Sequence, residues 1–107
     1  MNWIFHKAEG DYSLTTQKEN IKIWANVAPD YLAVSLNEYS EGSILGSSSY
    51  GRFLQVADLE NAKNFIETLI QEMPSGGLDE ASIYASSKLK DYGKGERPLA
   101  KVKGFVD

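Results

Sequence analysis

Residues 21–37 alternate between apolar and polar positions in two runs, which is the pattern of β-strands that bury one face. Pro29 and Asp30 separate the two runs and favour a turn, because proline presets φ and aspartate can bond to its own backbone. A shift of one residue in the pairing would send half of the apolar side chains to solvent, so the pattern also specifies the register. The sequence therefore predicts a β-hairpin with three apolar pairs on one face: Val27 with Leu32, Ala25 with Val34, and Ile23 with Leu36.

The pattern changes to a helical period after position 58. Apolar residues recur there at steps of three and four, which predicts an amphipathic helix over 58–73 with Asp58 as its N-cap and Pro74 beyond its end. Similar steps predict a second helix over 78–92, followed by Gly93 as its C-cap. The apolar positions are Leu59, Ala62, Ile66, Leu69 and Met73 in the first helix and Leu78, Ala81, Ala85, Leu89 and Tyr92 in the second.

Shorter segments complete the predicted fold. Strands are predicted over 3–7, 12–16, 51–56 and 99–106, and the segment 41–51, which is rich in glycine and serine, predicts a loop. A one-sided hairpin and an amphipathic helix bury their apolar faces together. The elements therefore predict the α+β class: an antiparallel sheet of four to six strands packed by one long helix (58–73) and a second helix (78–92).

The composition fits a single domain over residues 1–107. Hydrophobic residues make up 42% of the chain and charged residues 24%, close to the average of globular domains. The absence of cysteine excludes disulfides and thiolate chemistry. No apolar run approaches the roughly 20 residues of a membrane span, and the first residues lack the pattern of a signal peptide. We therefore expect a cytoplasmic protein that does not enter a membrane.

Acidic and basic residues are concentrated in different segments. The net charge of −4 argues against nucleic-acid binding, whose usual footprint is a basic domain. Residues 58–80 hold six acids and one base, whereas residues 88–103 hold six bases and two acids. Either these segments are solvated faces of the molecule, or one of them steers a charged partner.

Residues with catalytic or metal-binding chemistry form no diagnostic motif. His6 is the only histidine, and its neighbours predict that it belongs to a strand. Residues 46–51 reproduce the glycine spacing of a phosphate-binding loop, but Arg52 and Phe53 stand where that loop needs lysine and serine or threonine. We therefore predict a protein that is not an enzyme and has neither a cofactor nor a metal site.

One face of the predicted hairpin carries aromatic residues. Trp24, Tyr31 and Tyr39 lie opposite the core face, where a solvated sheet usually has threonine, lysine or glutamate. Either the N-terminal strand, the second helix or a curl of the sheet covers them, or they bind a partner, because tryptophan and tyrosine dominate interface hot spots. Further residues complete the predicted partner-binding set: Glu38, Glu41, Tyr50, Glu60 and Glu67.

In its size, its acidic character and its lack of cysteine, the chain resembles bacterial toxin-immunity proteins, a class that shares no single fold. The resemblance covers the whole chain and implies that the protein occludes or captures the active site of a basic, nuclease-type toxin. Glu38, Glu41, Glu60 and Glu67 would then mimic phosphate or pair with lysine and arginine of the toxin.

Other functions stay open at this point. A small-ligand-binding module would hold its ligand in an aromatic pocket between the sheet and a helix. A small carboxylate-dependent enzyme would gather acids with tyrosine or lysine in one pocket. The sequence also leaves open a homodimer that forms through the edge of the C-terminal strand.

Overall fold

The computed structural model describes residues 1–53 and 58–92. Within these ranges, five strands precede two helices along the chain. They are β1 (Ile4–His6), β2 (Asp11–Lys18), β3 (Ile21–Ala28), β4 (Tyr31–Ser40), β5 (Ser43–Phe53), α1 (Leu59–Glu72) and α2 (Leu78–Asp91). The strands form one sheet in the order β1-β2-β3-β4-β5, and each strand is antiparallel to its neighbours.

This architecture confirms the predicted α+β class. Both predicted helices are present, but each has 14 residues, so neither is the longer one. Asp58 is the N-cap of α1, as predicted, because its side chain accepts a hydrogen bond from the backbone N–H of Asn61. The predicted C-cap at Gly93 and the predicted strand over 99–106 lie outside the described residues.

The hairpin of β3 and β4 has the predicted register. Its apolar pairs are Val27 with Leu32, Ala25 with Val34, and Ile23 with Leu36, and all six side chains are buried. The same face continues into β2, where Leu14 opposes Ala25. Alternation along two strands was therefore sufficient to identify both the pairing and the buried face.

The predicted loop over 41–51 is wrong, because β5 runs from Ser43 to Phe53 and pairs with β4. Hydroxyl groups replace apolar contacts between these strands, as in the hydrogen bond of 2.9 Å between Ser35 and Ser49. A solvated sheet position needs no apolar residue, so a serine-rich segment can be a strand. The predicted strand over 51–56 overlaps the end of β5, and its remaining residues lie outside the described ranges.

Both helices pack against one face of the sheet, which we call the covered face. The core between them is apolar, and each fully buried large side chain stabilises the fold by about 1.5–3 kcal/mol. Burial of this face is therefore the main source of stability. The largest fully buried side chains of the core, from the sheet and from the helices, are Ile21, Ile23, Leu32, Leu36, Ile66, Met73 and Leu89.

Carboxylates lie at the N-termini of both helices. Asp58 accepts a hydrogen bond from the backbone N–H of Asn61 at 3.1 Å, and Glu38 of β4 accepts one from that of Leu78 at 3.1 Å. A negative charge is favourable there because the N-terminal end of a helix carries a partial positive charge. Glu38 thus joins the start of α2 to the sheet.

Cations from the sheet lie at the opposite ends of the helices. Lys18 of β2 donates to the carbonyl of Gln71 at 2.8 Å, and Arg52 of β5 donates to the carbonyl of Lys90 at 2.8 Å. Arg52 is only 5% exposed, and its Nε has no acceptor among the described residues. These contacts satisfy carbonyls that a helix leaves without partners at its C-terminus and hold both helices on the covered face.

Candidate functional site on the open face of the sheet

The open face of the sheet is the one that points away from both helices. Trp24 of β3 lies on it, opposite Thr15 of β2 on one side and Ser35 of β4 on the other. These small polar neighbours leave Trp24 40% exposed. Of the predicted covers, neither the N-terminal strand nor the second helix lies over it, because β1 joins the sheet beside β2 and α2 packs into the core on the covered face.

Two further aromatic residues of the predicted set share the open face. Tyr31 and Tyr39 of β4 are half-buried and occupy positions of the same parity as Ser35. Lys22 of β3 holds its Nζ 4.8 Å from the centroid of the Tyr39 ring, a cation–π contact. The structure thus brings the three predicted aromatic residues to one face, and their role in binding remains a prediction.

A hollow of about 360 Å³ lies beside Trp24 on this face. We call it the open-face hollow. It spans the four neighbouring strands β1 to β4 and the turn between β1 and β2, and it has both polar and aromatic walls. Its lining residues are His6, Glu9, Asp11, Ser13, Trp24, Asn26 and Tyr31.

The turn between β1 and β2 positions the acidic rim of the hollow. The backbone N–H groups of Glu9 and Gly10 both donate to the carbonyl of His6, at 3.2 and 2.8 Å. Gly10 has a φ of 73°, a conformation that favours glycine. This tight turn sets His6 opposite Asp11 in the register and returns Glu9 to the same end of the sheet.

Asn26 forms the buried floor of the hollow. It is 3% exposed, and its Nδ2 donates to Asp11 Oδ2 at 3.2 Å and to the carbonyl of Tyr12 at 3.0 Å. Asn26 Oδ1 and Asp11 Oδ1 are both buried and accept no hydrogen bond from the described residues. Two acceptor oxygens in one hollow therefore lack donors, which is uncommon because burying an unpaired polar atom is unfavourable.

Three further groups converge at the rim. One nitrogen of His6 and one carboxylate oxygen each of Glu9 and Asp11 lie within 4.8 Å of one another. His6 Nε2 is hydrogen-bonded to Ser13 Oγ at 2.6 Å. The rim thus gathers acceptors and negative charge, an arrangement that attracts a cation.

The acidic surroundings of the hollow also affect the pKa of Tyr31. Burial raises the pKa of the Tyr31 hydroxyl above its ordinary value, and the negative charges of Asp11 and Asp30 raise it further. A phenol whose ionisation is opposed by two carboxylates stays neutral at physiological pH. Tyr31 therefore contributes an aromatic wall and a hydroxyl to the hollow without adding charge.

The remaining residues of the predicted set lie elsewhere. Tyr50 of β5 opposes Val34 and packs against the core on the covered face. Glu38 is engaged at the start of α2, and Glu41 is exposed in the turn between β4 and β5. The structure does not bring these residues into one patch with Trp24.

The two predicted helical glutamates lie in the helical layer. Glu60 forms an ion pair of 3.0 Å with Lys63, its neighbour on α1. Glu67 accepts a hydrogen bond of 2.8 Å from the indole N–H of Trp3. Both residues are thus separated from Trp24 by the thickness of the sheet, and their role in binding a partner remains a prediction.

Sequence patterns do not single out the open-face hollow. Asp11 and Asn26 are 15 positions apart and become neighbours only through the pairing of β2 with β3. The signal that could have found them is the register of β2 with β3, which places Ser13 opposite Asn26. His6, predicted as a strand residue, is the last residue of β1.

No family model matches this chain, and neither the curated proteins nor the solved structures yield a match. Within the described ranges, neither helix combines the length and apolar character needed to cross a membrane. Functional conclusions therefore depend on the geometry of the chain itself.

Proposed function

We propose that this protein is a non-enzymatic binding protein and that its open face engages a protein partner. The observation that carries the proposal is Trp24, which is 40% exposed in the sheet between small polar neighbours. Tryptophan combines a large apolar surface with one N–H donor, and it is enriched among residues that dominate binding energy. A role in binding accounts for its exposure, since Trp24 is absent from the buried core.

The surroundings of Trp24 favour a basic partner. Glu9 and Asp11 line the hollow beside it, and Asp30 lies near enough to act on Tyr31. The whole chain carries a net charge of −4. Charge complementarity accelerates the encounter with a basic surface and disfavours acidic partners.

The class of partner that we propose is a bacterial toxin of the basic, nuclease type, which this chain would neutralise as an immunity protein. The support is the combination of a small acidic chain with an aromatic surface beside buried acceptors. Such a surface can cover the active site of a basic enzyme or pair with the lysine and arginine residues that bind phosphate. On this proposal the open face makes the contact, and the protein carries out no reaction.

Co-expression with the product of the neighbouring gene tests this function. We expect this chain to restore the growth of bacterial cells that express that product, and we expect the purified proteins to form a complex. The variant Trp24→Ala should weaken the complex by about 30-fold or more, the loss expected of a hot-spot residue. Tyr39→Ala should have a smaller effect, because Tyr39 already contacts Lys22.

Asp91→Asn is the matched control, because Asp91 is exposed and lies in the helical layer at the end of α2. It should leave growth and complex formation unchanged, and all three variants should melt within a few degrees of the parent chain. Rescue that survives Trp24→Ala but fails with Asp91→Asn would move the interface to the helices. Absence of both rescue and complex formation would contradict the proposed function.

A small-ligand-binding module is the second candidate, and the volume of the open-face hollow favours it. A volume of about 360 Å³ is within the range of ligand pockets, about 300–1,000 Å³. The hollow lies on the open face and not between the sheet and a helix, where the sequence predicts a pocket. A rise in melting temperature with one compound of a metabolite panel, abolished by Asp11→Asn, would favour this candidate over a protein partner.

A further inference from the structure

The open-face hollow contains acceptors that nothing in the described chain satisfies. Asp11 Oδ1 and Asn26 Oδ1 are both buried without a donor, and Asn26 is 3% exposed. A carboxylate oxygen and an amide oxygen are acceptors only, so the missing group must present donors. Because one of the two oxygens belongs to a carboxylate, a positively charged donor fits better than a neutral one.

The aromatic walls restrict the type of cation. Trp24 and Tyr31 both line the hollow, and an indole ring is the strongest aromatic partner for a cation. A guanidinium group is planar, stacks on such rings and carries five N–H donors, so one group can contact a ring and two oxygens together. An ammonium group is compact and lacks the stacking surface.

A metal ion fits the same hollow less well. His6, Glu9 and Asp11 offer three ligand atoms, but His6 Nε2 is already bonded to Ser13 Oγ. The hollow of about 360 Å³ is much larger than an ion needs. Its aromatic walls would also contribute nothing to a divalent ion, which prefers oxygen and nitrogen ligands.

We infer that the open-face hollow is a socket for the guanidinium group of an arginine side chain that the protein partner presents. Asp11 and Asn26 accept its hydrogen bonds, Glu9 supplies further negative charge at the rim, and Trp24 stacks on the planar group. The inference rests on the proposed function, because it takes the arginine from the same partner that covers the open face. It identifies the side-chain chemistry that this partner must display.

An NMR titration of the full chain tests the socket directly. The probe is the capped peptide acetyl-Gly-Arg-Gly-amide, and its matched control contains citrulline, which has nearly the same shape but no charge. We expect the arginine peptide to shift the amide signals of Asp11 and Asn26 and the indole N–H signal of Trp24. One side chain should bind with a dissociation constant on the order of 1–10 mM, and the citrulline peptide at least about tenfold more weakly.

The two tryptophans provide an internal control, because the indole of Trp3 is bonded to Glu67 in the helical layer and should not respond. Asp11→Asn should weaken the arginine peptide by about fivefold or more, the loss of one charge-assisted hydrogen bond. Glu9→Gln tests the same charge at an exposed position if Asp11→Asn alters the fold. Asp91→Asn, which neutralises an exposed carboxylate at the end of α2, should have no effect.

Three results would overturn the inference. Equal shifts with the citrulline peptide would show that the hollow does not distinguish a charged side chain from a neutral one. Displacement of the arginine peptide by micromolar manganese or zinc ions would make the hollow a metal site. Free L-arginine that binds at least about a hundredfold more tightly than the capped peptide would make it a site for the free amino acid.

Failure of the socket and failure of the proposed function are distinguishable. A partner that binds through Trp24 while the arginine peptide shifts nothing would overturn only the socket. An arginine peptide that binds while the neighbouring gene product neither binds nor is neutralised would contradict the proposed function and, with it, the assignment of this arginine to that partner.

Discussion

The two faces of the sheet differ in how their polar groups are satisfied. On the covered face, Lys18, Arg52 and Glu38 point to the ends of the helices, where backbone groups need partners. Apart from Arg52 Nε, these groups find their partners within the described chain. On the open face, Asp11 and Asn26 each keep one buried oxygen without a donor. Nearly all of these polar groups on the covered face thus have hydrogen-bond partners within the described chain. On the open face, two acceptor oxygens lack a donor, and a binding partner can supply one.

This contrast separates stability from function. A core of apolar side chains holds the fold, and exposed residues on the other side of the same strands are free to serve binding. Unpaired acceptors and an exposed tryptophan reduce stability. Where they occur together, they therefore indicate a surface that serves binding. Substitutions that distinguish the two faces therefore test the whole interpretation.

The largest expected difference comes from adjacent residues of β4 that point to opposite faces. Leu36 is fully buried on the covered face, and Leu36→Ala should lower the free energy of unfolding by about 2–5 kcal/mol. Ser35 lies on the open face, and Ser35→Ala should change it by no more than about 0.5 kcal/mol. Chemical denaturation measures both values, and losses of similar size would contradict the assignment of the faces.

The next largest effect concerns the cations at the helix ends. Arg52→Met should lower the free energy of unfolding by about 1.5–3 kcal/mol, because carbonyls at the end of α2 lose charged donors. Lys18 is more exposed than Arg52, so Lys18→Met should cost less. Denaturation of both variants provides the comparison. A larger loss for Lys18→Met would mean that burial does not decide the strength of these contacts.

A smaller effect of opposite sign is expected in the open-face hollow. Asp11→Asn removes a charged carboxylate oxygen that is buried without a donor, so it should leave the free energy of unfolding unchanged or raise it by up to about 1 kcal/mol. Thermal and chemical denaturation measure the change, with Glu60→Gln as the control. A loss of more than about 1 kcal/mol would make Asp11 a structural residue.

The smallest effect is a dependence of stability on alkaline pH. The pKa of Tyr31 is raised in the folded chain above the ordinary value of 10.0. Its contribution to stability is therefore complete below pH 10.0 and is lost as the pH rises through the folded value. Tyr31→Phe should lack this loss, so the difference in stability between the parent chain and the variant should shift in favour of the variant above pH 10.0. A constant difference over that range would contradict the raised pKa.

Much of the fold could be predicted because its signals are local. The alternation of Ile23, Ala25 and Val27 specified a hairpin down to its register, and Asp58 marked the start of α1. β5 was missed because its pattern is serine and glycine rather than β-branched residues. The strand forms because it pairs with the edge of β4. The sequence of the segment alone does not reveal that this edge is available.

The candidate site could be predicted only in part. Trp24 was identifiable because it breaks the polar pattern of its own strand. The open-face hollow depends on contacts among the strands β1 to β4, and β1 has only three residues, too few to display a period. The environment of Asn26 is likewise a property of the assembled sheet, since its partners are Asp11 and Tyr12 of another strand.

An NMR titration of the chain with the product of the neighbouring gene tests the central claim most directly, because the two tryptophans report on the two faces. Trp24 belongs to the open face, and Trp3 is bonded to Glu67 of α1. We predict that the indole signal of Trp24 shifts or broadens on binding, together with the amide signals of Asp11 and Asn26, while the indole signal of Trp3 is unchanged. A shift of Trp3 with no change at Trp24 would place the contact on the helical layer and contradict the account.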